Sequence, residues 1–351
     1  MNENTQLDGV KTGKKNRIEY LDIVKGIGII LVVLAHTRAP ISKYIMQFHM
    51  PLFFMVSGYL YSNKKDVKTF VISKVKSLYL PFLACNILGT VVRGLLGLTN
   101  IRNVKNYIAI ILTLKKDGVF FGATWFLGAL FVISIAYRVI DYLLCDYKDR
   151  YILMTVFFGM LALCGYEHTF DYMLSRTMIC SFFFAAGYLI KRANFPQLEM
   201  KKKFVAALIS AALFLFLARG NSLNMGTNRY TYFASFILES FLGSYVILVI
   251  SQFIDMTNML KPVKKCLLCF GRNSLDIVIW QFVAFRAVIA LQLYLAGEPL
   301  STILDYYPVY DASGIWVLVY TIVGLVGSIL IGQILKLLGR GVKSVIGLTK
   351  R

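Results

Sequence analysis

Apolar runs of roughly 20 residues alternate along this chain with short polar clusters, and about 20 helical residues is the length that crosses a hydrocarbon core. Ten runs are legible, centred near residues 28, 53, 87, 131, 158, 182, 211, 243, 281 and 325. The pattern predicts an all-α fold, a polytopic integral membrane helix bundle of about ten transmembrane helices. It divides the chain into a basic tail over residues 1–18, a transmembrane domain over 19–338 and a C-terminal tail over 339–351. No internal repeat, low-complexity tract or soluble domain interrupts it, and the longest polar stretch, the N-terminal tail, is too short to fold alone.

Hydrophobic residues make up 58% of the 351 residues and mean hydropathy is +0.65, against roughly 45–50% apolar content in soluble domains. The formal charge of +20 raises the question of a nucleic-acid partner. Its distribution answers it: Lys and Arg sit in short clusters between apolar runs, the way topology is encoded, so no nucleic acid is expected. The clusters Lys11 to Arg17, Lys64 to Lys76, Lys148 with Arg150, Lys191 to Lys203, Lys261 to Lys265 and Lys336 to Arg351 fall in alternate loops. The positive-inside rule makes those loops cytoplasmic, and an even number of spans then puts both termini there. One segment departs from that map. Between Arg93 and Lys116 the opposite side carries Arg93, Arg102, Lys105, Lys115 and Lys116 around the apolar stretch Tyr107 to Leu114, which suits an interfacial or re-entrant helix. The first 18 residues are hydrophilic and no small-residue cleavage site follows the first run, so that run reads as an uncleaved anchor.

The six cysteines are scattered, mostly within apolar runs, where Cys behaves as a small buried hydrophobe. Cys266 and Cys269 have zinc-like spacing, but no second pair and no nearby His completes a tetrahedral set, so no metal site is expected.

Ionisable groups inside a membrane are expensive and mark functional sites when they face the interior. Asp22, Lys25 and His36 lie along the first run, and His49 opens the next segment, His49-Met50-Pro51-Leu52-Phe53-Phe54. Eleven residues separate Lys25 from His36; at about 100° per residue they return to nearly one helix face, with a rise of about 16 Å. That face carries a cation at the cytoplasmic end and an imidazole toward the outer end, with Asp22 spaced to pair with Lys25 at i, i+3. The competing reading is structural: Lys25 snorkels to the headgroups and His36 caps the helix.

These residues also carry a resemblance. Arg17, Asp22 and Lys25-Gly26 followed by His36 resemble the first-span signature of the type 3 membrane acyltransferase family, bacterial integral-membrane enzymes that O-acylate cell-surface glycans. The family's hallmark is an arginine eleven residues before a histidine. Lys25 stands at the arginine position here, a departure associated with a branch resembling fucose 4-O-acetylases and capsule or exopolysaccharide O-acetylases. Phe48 to Phe54 with Ser57-Gly58-Tyr59 is similar to the family's second span, Thr124 to Phe131 to its Trp-Phe-Leu span, and Gly271 to Ile277 to its late Gly-x-Asn-Ser-Leu segment. Many relatives place a histidine shortly after that segment. Gln281 stands there in this chain, and it can hydrogen-bond but cannot act as a general base.

The resemblance implies a multi-pass bacterial plasma-membrane enzyme that takes acetyl-CoA as acyl donor and a glycan or lipid-linked saccharide as acceptor. No tightly bound cofactor is implied, and glycosyltransferases of the same pathway are the implied protein partners. Acyl transfer to a sugar hydroxyl needs a base near neutral pKa, the role expected of His36. Donor phosphates need cations at the inner face, the role expected of Lys25 and Arg17 with Asp22 beside them, near the Lys64 to Lys76 loop. An extended pantetheine arm is of the same order as the about 16 Å between Lys25 and His36. Oxyanion or substrate donors are sought among Trp125, Asn273, Ser274 and Gln281; equally, Asn273 and Ser274 are interhelical glue and Trp125 an interfacial anchor.

His49 either pairs with His36, binds the acceptor or is an ordinary interfacial histidine, and His168 reads as solvated surface. Glu239, in the middle of an apolar run, is expected to face the interior, where it orients a histidine or pairs with Arg176 or Arg286. Two other functions fit a bundle with buried charges: a transporter or flippase for a glycan or lipid-linked sugar, and a sensor on an inactive scaffold.

Overall fold

The computed structural model describes residues 18–95, 101–114, 122–168, 170, 172–193 and 198–345. Arg17, Lys115, Lys116 and, of the expected tails over 1–18 and 339–351, residues 1–17 and 346–351 lie outside the described residues. The helices in order are α1 Glu19–His36, α2 Ser42–Met46, α3 His49–Tyr59, α4 Val67–Lys74, α5 Leu80–Leu95, α6 Ile101–Leu112, α7 Trp125–Leu143, α8 Arg150–Glu167, α9 Tyr172–Ala193, α10 Met200–Gly220, α11 Phe233–Met256, α12 Lys261–Arg272, α13 Ser274–Ala296 and α14 Trp316–Val345. A π-helical turn, Val75–Tyr79, joins α4 to α5 in one continuous helix. The sheet among the described residues is a two-stranded hairpin, β1 Leu223–Asn224 against β2 Arg229–Tyr230, between α10 and α11.

Eight helices among the described residues are long and apolar enough to cross a membrane, and the all-α membrane bundle stands. The other two expected spans fall outside that set for different reasons. α1 is 18 residues long but carries Glu19, Asp22 and Lys25 in its first two turns. α3 has 11 residues, about 16 Å of helix against a core of about 30 Å. It begins after a break at Gln47 and Phe48, with Pro51 in the first turn, where a missing N–H costs nothing. Such a half-length element is tolerated because it is packed inside protein, where lipid does not meet its ends. The amphipathic segment expected after Arg93 is α6, a 12-residue helix that packs on α5 and is too short to span.

α1 is the central helix. It packs against α3, α11, α12, α13 and α14, and Ile23, Ile29 and Val33 are fully buried. Its crossing with α12 is backbone on backbone: a Cβ at Gly26 would stand 2.2 Å from the Leu267 carbonyl oxygen, and one at Gly271 1.9 Å from that of Asp22. Gly26 of the first motif and Gly271 of the late motif are thus two sides of one contact.

An ionic cluster closes the bundle near the end of α3. Asp141, buried on α7, accepts from Tyr61 Oη at 2.8 Å and from Arg150 Nε at 2.7 Å, with Arg138 at 3.8 Å. Lys191 at the end of α9 donates to the Tyr61 carbonyl at 2.8 Å. Buried charges persist when each is paired and hydrogen-bonded.

Candidate functional site

A cavity of about 470 Å³ opens where the last turn of α1, the first turn of α3, the start of α7 and the β1–β2 hairpin converge, and His36 and His49 both line it. The two rings are held alike. Nδ1 of His36 donates to the Val32 carbonyl at 2.7 Å, and Nδ1 of His49 donates to the Ile45 carbonyl at 2.8 Å. A carbonyl has no proton to give, so each neutral ring carries its hydrogen on Nδ1 and leaves the Nε2 lone pair as acceptor. Phe282 of α13 meets the His36 ring edge-on, centroids 4.9 Å apart, and fixes its plane.

Trp125, the first residue of α7, and Arg176 of α9 share the same wall. The Arg176 guanidinium lies over the Trp125 ring at 4.8 Å, a cation–π contact strengthened by burial. Arg38, Phe53 and Tyr307 line the cavity too. Tyr307 belongs to the loop between α13 and α14, which Arg286 pins by donating to the carbonyls of Ile303 and Tyr306. In that loop, outside the spans, Tyr306 and Tyr310 donate to the two oxygens of Glu298 at 3.0 and 2.9 Å. Those bonds push both phenol pKa values up, since ionisation would set phenolate against carboxylate.

The other expected residues divide between two ends of the bundle. Lys25 is at the far end of α1, its Nζ 2.5 Å from Asp22 Oδ1, and Arg272 Nε stands 4.0 Å from Asp22 Oδ2. Lys264 of α12 sits between Glu19 and Asp255, at 2.8 and 2.7 Å. Asn273 and Ser274 belong to this end as well. The Asn273 amide donates back to the Cys269 carbonyl at 2.8 Å and Ser274 begins α13, so neither lines the histidine cavity.

Gln281 is fully buried, with Nε2 3.4 Å from the Val278 carbonyl, but it does not line the cavity. Glu239 is buried too. Its carboxylate takes bonds from Asn221 at 3.1 Å and Ser235 at 2.6 Å. Gln47 donates to the Asn221 carbonyl at 3.2 Å and Ser240 donates to the Gln47 carbonyl at 2.9 Å. Glu239 therefore braces the hairpin and the turn before His49 rather than touching a histidine. His168 closes α8 at the surface. No cluster of metal-ligating side chains occurs among the described residues.

Between the two ends the shared face of α1 is closed. Ile29 is fully buried and the Phe53 ring covers Gly28. Arg38, Arg272 and Tyr307 carry no role in the sequence pattern, and Phe53 enters it only as part of a motif. Arg38 has a signal, two residues beyond His36, and Arg272 and Phe53 stand inside motifs; Tyr307 acquires meaning only from contacts distant in sequence.

Comparison with known proteins agrees with this architecture. The family model described as Acyltransferase domain matches residues 18–336. Nodulation protein NolL of Mesorhizobium japonicum is 32% identical over 145 residues, covering 36% of this chain and 37% of that protein. The chain thus matches little more than a third of that relative's length. No solved structure matches it. With the family model spanning α1 to α14, this chain belongs to the acyltransferase domain family of polytopic helical membrane proteins.

Proposed function

We propose that the chain is a membrane O-acyltransferase that moves an acetyl group from acetyl-CoA to a sugar hydroxyl of a surface or lipid-linked glycan, with His36 as general base. The observation that carries the reading is the Nδ1-pinned pair of histidines, whose free Nε2 atoms are the basic atoms of a cavity large enough for a sugar. The acceptor hydroxyl gives its proton to His36 Nε2 as its oxygen forms a bond to the thioester carbonyl. The tetrahedral oxyanion collapses, the C–S bond breaks, and the CoA thiolate takes that proton back from His36. Trp125 Nε1–H and the Arg176 guanidinium are the cavity donors suited to the oxyanion, and His49 Nε2 is suited to accept a hydrogen bond from a second acceptor hydroxyl.

The donor's phosphates fit the opposite end, where Lys25 and Arg272 flank Asp22 and Arg17 would add a third cation. That end carries the basic loops, so it faces the cytoplasm under the positive-inside rule, in a bacterial plasma membrane. The pantetheine arm then runs along the α1 face and needs the Phe53 ring to turn aside. Glycosyltransferases that build the acceptor are the expected pathway partners.

The test compares the surface polysaccharide of a parent strain and a strain lacking this protein, by NMR. Loss of an O-acetyl signal on deletion, restored by the wild-type gene, is the expected result. An identical O-acetyl content in both strains overturns the proposal.

A further inference from the structure

The mouth of the histidine cavity carries an arginine that the acyl-transfer steps leave unused. Arg38 follows His36 by two residues, lines the same cavity and holds a left-handed backbone with φ 59°. Glycine adopts that conformation freely, whereas a residue with a Cβ adopts it at a cost. What position 38 retains against that cost is the guanidinium. Its Nη2 donates to the Tyr307 carbonyl at 2.7 Å, which fixes the group at the rim and leaves its other N–H groups for a ligand. No carboxylate among the described residues pairs with it. Among the described residues lining the cavity there is neither Asp nor Glu beside Arg38.

We infer that Arg38 is an acceptor-binding, specificity-determining residue and that the acceptor is an anionic saccharide, with a carboxylate or phosphate close to the hydroxyl that His36 deprotonates. A cleft of one charge sign concentrates ligands of the other, and the planar guanidinium fork matches both anions bidentately. The inference rests on the acyl-transfer reading above. Arg38 makes and breaks no covalent bond; it sets which saccharide presents its hydroxyl to His36.

The experiment locates, by NMR, the O-acetyl group that disappears on deletion, in the surface polysaccharide and in the extracted lipid-linked intermediates. The acetylated sugar or its direct neighbour is expected to carry the anion. A uronic carboxylate is recognised by its carbon shift, a phosphate of the polymer by phosphorus coupling, and a lipid diphosphate by its confinement to the lipid extract. Complementation with Arg38→Gln or Arg38→Gly is expected to restore roughly a tenth or less of the O-acetyl, and Arg38→Lys an intermediate amount, at equal membrane levels by immunoblot. Arg38→Gly eases the backbone, so its loss of acetylation is not a failure to fold. An acetyl group on a neutral sugar with neutral neighbours, or full acetylation by Arg38→Gln, overturns this inference and leaves acyl transfer standing. Deletion without any loss of O-acetyl overturns acyl transfer itself.

Discussion

The ring of Phe53 rests on Gly28: a Cβ built on that glycine would lie 3.1 Å from the ring's Cε2 and Cζ atoms. Gly28 flanks the α1 face that leads from Lys25 to His36, and Phe53 also lines the histidine cavity. The Phe53 ring is thus placed to partition the basic end of the bundle from the histidine end.

Phe53→Ala is expected to do two things at once. Truncating a buried Phe costs about 3 to 5 kcal/mol, read as a lower melting temperature in detergent, and the opened passage admits water to the thioester. Release of CoA thiol from acetyl-CoA without acceptor should rise in this variant and fall in Phe53→Trp. Equal thiol release by all three proteins would mean that the ring is no partition.

Gly271→Ala drives a Cβ into the Asp22 carbonyl at 1.9 Å, and Gly26→Ala drives one into that of Leu267 at 2.2 Å. Overpacking of this kind costs typically about 1–3 kcal/mol, and here the obstacle is backbone, which yields least. Both variants should melt lower than wild type. Gly220→Ala, with nothing within 4 Å of the added carbon, should be neutral or slightly stabilising; similar losses at all three positions would contradict the crossing as described.

The loop over the cavity has a pH dependence of definite sign. Tyr306 and Tyr310 have pKa values raised by their bonds to Glu298, so the clamp is complete below the ordinary tyrosine value of about 10. It is lost as pH rises through the higher folded values. Alkaline titration of tyrosine absorbance should show two phenols moving to lower pH in Glu298→Gln, and superimposable titrations would show that the clamp does not form.

Much of the site was legible because its signals are local. The charges that interrupt the first apolar run, and the eleven-residue spacing that puts Lys25 and His36 on one face, need only helix geometry. Gly26 and Gly271 were visible as motif residues, yet that they touch required the α1–α12 crossing. The motif that holds Asn273 and Ser274 states residue types and not the end of the bundle at which they sit, so it cannot separate them from His36. α3 read as a full span because hydropathy does not distinguish a run that crosses lipid from an 11-residue helix buried in protein. Arg38 and Tyr307 are 269 residues apart in the chain, and no periodicity joins them.

His36 Nε2 is the atom proposed to take the acceptor proton. The most direct measurement of that role is transfer of labelled acetyl from acetyl-CoA to the glycan acceptor by purified wild-type protein and His36→Ala in lipid vesicles. A general base contributes about 10²- to 10⁴-fold, so a loss of at least that order is expected, with insertion and melting temperature preserved. Acetyl transfer by His36→Ala at the wild-type rate would contradict it.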